Sequence, residues 1–250
     1  LRIPARPKKP ILSTPENPLD LTAIPEDLPR PVARYLQLLF PQGIPNLSPV
    51  VAWGTGRITS HLRVFGTVWL PLSWTLYLYP AVGYLWRTNI TWYMRPFLKG
   101  GDQYLDGHGT YRMGNDTLES EFIDLSEFTI LWIHTLVFAP FSLPYTPGLK
   151  WQLIDDRSIW LTVTGPNQAS YNFKLLFSSS GMLEKIETKR AASRDGTLLD
   201  FSTTIVHSPV PESSHLINLK NAWESVVYLD LKSNGIFYDV NIDQVFDEGI

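Results

Sequence analysis

From Tyr84 to Arg95 bulky and polar residues take turns. Tyr84, Trp86, Ile90, Trp92 and Met94 hold even positions with Thr88, while Arg87, Asn89, Thr91 and Arg95 hold odd ones. A period of two predicts a β-strand with one apolar and one wet face. A strand carrying two tryptophans on one side needs a broad apolar partner. The same alternation runs through 57–64, 74–79, 158–164 and 170–177. Val64 to Trp86 lacks any charge, but Pro71, Pro80, Gly66 and Gly83 interrupt it, so it reads as strand, turn and strand. Asn115-Asp116 and Gly165-Pro166-Asn167 read as turns. Asp195-Gly196 and Asn234-Gly235, each between apolar runs, suit two-residue hairpin turns.

Two segments switch to helical spacing. Val32, Tyr35, Leu36, Leu39 and Phe40 predict a helix over 28–40, with Asp27 placed to cap it. Ser126 can cap a second helix over 127–139, apolar on nearly every side. Such a helix is buried all round or lies against lipid, and the prolines at 140, 144 and 147 leave it too short to span a bilayer. An antiparallel sheet of roughly ten strands curls because its strands twist. The expected fold is therefore mainly β, a strongly curved antiparallel half-barrel with about two helices, one against its concave face.

Ahead of this domain, taken as residues 28–250, lies a proline-rich extended tail at 1–27. Residues 1–31 hold eight of the twenty prolines, a composition suited to polyproline II and unable to form a core. A tail of this kind orders along its own body or along a partner. The chain begins at Leu1 rather than methionine, which is compatible with an upstream leader or anchor having been removed.

Composition narrows the chemistry. The formal charge of −3 argues against a nucleic-acid partner. The absence of cysteine removes disulfides, thiolate metal sites and thiol nucleophiles. Asp106-Gly107-His108-Gly109 is the stretch most like an active site, a histidine beside a carboxylate, but it reads more simply as a turn. His134 has Val137 and Phe138 where a metal site would need ligands, and His61, His207 and His215 show no ligand spacing. Asp155, Asp156, Glu119 and Glu121 read as solvated turn and strand-edge carboxylates. Gly54-Thr55-Gly56 precedes a strand and is too short to cradle a phosphate. No enzyme, metal or cofactor is expected.

Several segments, taken in order, carry a resemblance: Leu28-Pro29 with Val32-Ala33-Arg34-Tyr35-Leu36, Gly66 with Trp69, Leu85-Trp86-Arg87, Gly101-Asp102-Gln103-Tyr104 running to Gly107 and Gly109, and Trp223-Glu224. The chain resembles an uncharacterised, mainly bacterial family defined by a domain of unknown function. In architecture it is similar to half-barrel lipoprotein carriers of the LolA and LppX type, a likeness of fold that transfers no residue.

The nine tryptophans fill a core or line a cavity. The functional expectation is non-catalytic binding of a lipid or other apolar small molecule, with peripheral membrane association. Tyr84, Trp86, Ile90, Trp92, Met94 and Trp132 are the expected ligand-binding residues. The alternative is an accessory structural subunit of a membrane-protein complex, held by the tail and the apolar helix.

Overall fold

A computed structural model describes residues 21–46, 49–62, 66–93, 95–166, 168–192, 194–207, 217–223 and 228–238. Most of the proline-rich tail, residues 1–20, and Met94 lie outside them. Where the described chain begins, β1 (Leu21–Thr22) pairs with β2 (Ile44–Pro45), and the Thr22 hydroxyl meets that of Tyr145. Between these strands α1 (Arg30–Leu39) buries Val32, Tyr35 and Leu36. Pro29 rather than Asp27 stands at its N-cap, with no side-chain hydrogen bond, and Pro31 fits the first turn, where a missing N–H costs nothing.

The remaining strands are β3 (Val50–Leu62), β4 (Gly66–Tyr79), β5 (Gly83–Trp92), β6 (Arg95–Leu105), β7 (His108–Met113), β8 (Asp116–Leu118), β9 (Lys150–Asp155), β10 (Ser158–Thr164), β11 (Ser170–Phe177), β12 (Leu183–Ala191), β13 (Leu198–His207), β14 (Ile217–Trp223) and β15 (Tyr228–Tyr238). They form one antiparallel sheet of thirteen strands in the order 8-7-6-5-4-3-15-14-13-12-11-10-9, open at β8 and β9. The sheet has three strands more than the roughly ten the sequence predicts, β8 and β9 among them. After β8 comes α2 (Glu121–Phe138), then a 3-10 turn at Pro140–Tyr145.

One helix reveals how far this sheet bends. Both β7 and β12 pack on α2, although they stand eight places apart in the strand order. Flat, that separation would be about 38 Å at roughly 4.8 Å per strand, more than three helix diameters. Only a sheet curled around α2 brings both to it. The core on the concave side includes Leu70, Leu72, Trp74, Leu76 and Leu78 of β4, Tyr84, Trp86 and Ile90 of β5, and the α2 residues Leu131, Trp132 and Leu136.

Three local expectations are corrected. Helix α2 begins six residues earlier than expected, with Ser120 as its N-cap accepting from the Ile123 N–H at 3.2 Å. Ser126 is instead a buried residue inside the helix. Asp195-Gly196 belongs to a six-residue connection between Ala191 and Leu198, closed by the Ala192 N–H bonding to the Thr197 carbonyl at 2.8 Å. Asn234-Gly235 makes no hairpin. It lies within β15, at a bulge where the pairing with β3 shifts register between Ser233 and Gly235. A glycine is needed there because an added Cβ would sit 2.2 Å from the Trp53 ring.

Candidate functional site

Helix α2 is seated by glycine and pinned by charge. Asp106 and Gly107, at φ 51° and 86°, make the tight turn between β6 and β7. A Cβ on Gly109 would lie 2.7 Å from the Ile123 carbonyl oxygen, so only glycine lets the helix lie this close to β7. The Gly109 N–H donates to Asp124 Oδ1 at 2.6 Å. His108, 82% exposed at its side chain, stands 3.7 Å from the same carboxylate. The Asp-Gly-His-Gly stretch is thus a turn followed by a helix seat.

Beneath α2 the sheet carries a buried polar cluster. Glu127, 1% exposed, receives the Tyr84 hydroxyl on one carboxylate oxygen, and Arg190 Nη2 at 2.9 Å on the other. Arg190 also donates through Nε to Ser126 Oγ at 2.7 Å, and its guanidinium packs over the Phe201 ring. His134 is seven residues after Glu127, two helical turns on and on the same stripe. Its ring meets Tyr84 edge-on at 4.8 Å and Trp86 at 5.5 Å. Burial, and then Arg190, lowers the His134 pKa to about 3, so the imidazole is neutral at physiological pH. Tyr111 is pushed up to about 12, first by burial and then by Asp102 and Glu127.

Asp102 of β6 faces the same cluster. Burial first, and then the Glu127 charge, raises its pKa well above the usual carboxylate value, with Arg190 opposing. A carboxyl with a raised folded-state pKa keeps its proton after the unfolded chain has lost it, so stability drains away as pH climbs from near 4 toward the folded pKa. Asp102→Asn removes that loss. Its melting temperature should match the wild type near pH 3.5 and exceed it increasingly toward pH 8. A constant gap across that range would contradict the assignment.

The expected ligand-binding residues divide into two groups. Tyr84, Trp86 and Trp132 are 0%, 7% and 5% exposed and pack beneath or within α2. A cavity of about 20 Å³ lies there, lined among others by Trp74, Trp86, His134, Phe138, Thr203 and Leu231. That suits one water-sized molecule and no acyl chain. Trp86 Nε1, His134 Nδ1 and Thr203 Oγ1 are buried without a protein hydrogen-bond partner, three polar atoms on residues that line it. Ile90 and Trp92 lie toward the opposite end of β5. There the inward positions Ile58, Val68, Trp92, Leu98, Met113 and Leu229 pack on the core while keeping part of their surface exposed.

Of the other candidates, His207 Nε2 bonds to the Leu183 carbonyl at 2.7 Å, and Asp155 accepts the Arg157 N–H within a turn. Glu119 accepts from Thr110, and Glu121 lies in the first turn of α2. His215 and the side chain of His61 lie outside the described residues. Sequence reasoning missed Glu127, Arg190 and Asp102. One signal was available: Ile186, Thr188 and Arg190 share a face, so period two aims a guanidinium inward.

Comparison with known proteins gives a family and two similar structures. The model of a family of unknown function, DUF6544, matches residues 21–207. No curated protein matches the chain. A LolA superfamily protein from Nitrosomonas europaea is similar in structure, with 14% identity and a TM-score of 0.45 over 86% of this chain and 95% of that one. A domain of a putative outer membrane lipoprotein-sorting protein from Vibrio parahaemolyticus is similar too, with 9% identity and a TM-score of 0.44 over 80% of this chain and 89% of that one.

Proposed function

The chain belongs to DUF6544, a family of unknown function, and from its own geometry we propose that it binds an apolar ligand without catalysis, at the end of the concave face that α2 leaves uncovered. The uneven filling of that face carries the reading. Helix α2 closes the end where β4 turns into β5 and β6 into β7, through Thr135 Oγ1 on the Ala81 N–H at 3.0 Å and Asp124 on Gly109. At the other end six inward apolar side chains remain half-exposed. A ligand covering them gains about 0.8 kcal/mol for each methylene it buries, so shape alone can hold an acyl chain. Trp92 is its contact on β5, with Ile90, 4% exposed, packed behind it. Tyr84, Trp86 and Trp132 form the packed floor beyond it.

Nothing in the buried cluster requires chemistry of it. Glu127, Arg190, Tyr84 and Ser126 satisfy one another in a buried seam. The cluster fixes α2 instead.

Titrating delipidated protein with a fluorescent fatty acid tests the reading. The expected result is saturable binding at one site, weakened at least tenfold by Leu98→Glu, which places a charge among the half-exposed residues. Trp132→Ala is expected to lower the melting temperature and leave affinity within threefold of wild type. A wild-type protein that does not bind, or one whose affinity falls with Trp132 and not with Leu98, would refute it.

A further inference from the structure

We infer that the convex side of β3–β7, together with the tip joining β5 to β6, docks on an anionic lipid surface. The inference rests on the apolar-ligand reading, because the tip borders the uncovered end of the concave face. Cross-strand partners share a face, so the pairing of Gly54 with Trp74, Gly56 with Leu72 and Ile58 with Leu70 assigns these residues to the concave side. The intervening positions face outward. They include Arg57, Arg87, Lys99, Arg112 and Lys232. The acidic groups among the described residues of this face are Asp230, bound to Arg57 at 2.9 Å, and Glu119, bonded to Thr110. Five cations thus face two carboxylates on one side of a chain whose formal charge is −3. Lys99 and Lys232 are exposed and have no carboxylate partner among the described residues.

Aromatic rings stand among these charges. Tyr93 at the tip is 83% exposed, Phe97 51% and Trp69 45%. Tyr93 holds φ at 47°, a left-handed conformation unfavourable to a side chain, and its ring meets Trp92 edge-on at 5.0 Å. The Arg57 guanidinium lies 5.0 Å over the Trp69 ring. Tyr and Trp rings partition to the headgroup region of a bilayer, and nearby Lys and Arg add attraction to anionic headgroups. Trp92 places this surface beside the half-exposed end of the concave face, so a bilayer touching the tip would also meet the way in. No helix among the described residues is long and apolar enough to cross a membrane, so the contact envisaged is peripheral.

Flotation of the full chain with vesicles of phosphatidylcholine alone, or mixed with phosphatidylglycerol, decides the matter. Binding is expected to the mixed vesicles only and to decline with salt. Lys99→Ala with Lys232→Ala should weaken it about thirtyfold, by the loss of two surface cations. Tyr93→Ala with Phe97→Ala should weaken it at both low and high salt. All four positions are exposed, and a fatty-acid titration without vesicles reports separately on the ligand site, which both double variants should leave intact. Equal recovery with both vesicles, insensitivity to both double variants, or binding to single-stranded oligonucleotide in place of vesicles would overturn the inference.

Discussion

Replacing Arg190 with alanine is expected to destabilise the protein by about 3–5 kcal/mol, the range for removing one partner of a buried ion pair. The substitution leaves Glu127, 1% exposed, facing only the hydroxyls of Tyr84 and Ser126. It also withdraws the guanidinium from the Phe201 ring and the Nε–H from Ser126. Against the roughly 5–15 kcal/mol by which native domains are stable, such a loss is a large fraction of the margin. Arg190→Lys should recover only part, since an ammonium lacks the planar fork that serves Ser126 and Glu127 together. Adding Glu127→Gln to Arg190→Ala should regain more than lysine does. The amide removes the stranded charge and still offers Tyr84 an acceptor. Urea unfolding followed by tryptophan fluorescence measures all three. A cost below about 1 kcal/mol for Arg190→Ala would show that this pair contributes no more than an exposed one.

The alternation of Tyr84–Trp92 and the all-apolar face of 128–138 were enough to foretell a bent sheet holding a helix on its hollow side, because burial imposes both patterns directly. Other features had no local trace. Ser120 and Ser126 are each followed by glutamate, and only the packing shows that the first caps the helix while the second supports Arg190. The partners Glu127 and Arg190 lie 63 residues apart, and no spacing rule joins them. Of the ligand-binding set, the apolar face of β5 was legible as a whole. Its division into a floor under α2 and a half-exposed end was not, because that depends on where the helix stops along the strand.

Gly54→Ala is expected to be the most damaging small substitution in the sheet, beyond the roughly 1–3 kcal/mol typical of an overpacked core. Sequence reasoning placed Gly54-Thr55-Gly56 ahead of a strand. It lies inside β3, between β4 and β15, in the middle of the sheet. A methyl on Gly54 would stand 1.8 Å from the Lys232 carbonyl oxygen and 2.6 Å from the Trp74 ring. Trp74 is the cross-strand partner of Gly54 and Trp53 that of Gly235, so twice in this region an indole lies over a glycine of the neighbouring strand. The Trp74 indole is also tethered through Nε1 to the Thr55 carbonyl at 3.3 Å. A side chain could rotate away from a new methyl, but the Lys232 carbonyl belongs to the backbone of β15 and cannot yield alone. Moving β15 would disturb the bulge at Ser233 and Gly235 and with it the join between the two halves of the sheet. Gly66→Ala makes the control: its Cβ meets nothing within 4 Å, so only its φ of 68° resists the change, at a cost of about 1–2 kcal/mol. Thermal melts of the two variants should place Gly54→Ala well below Gly66→Ala, and equal melting temperatures would mean that the close approach of β15 to β3 does not hold in solution.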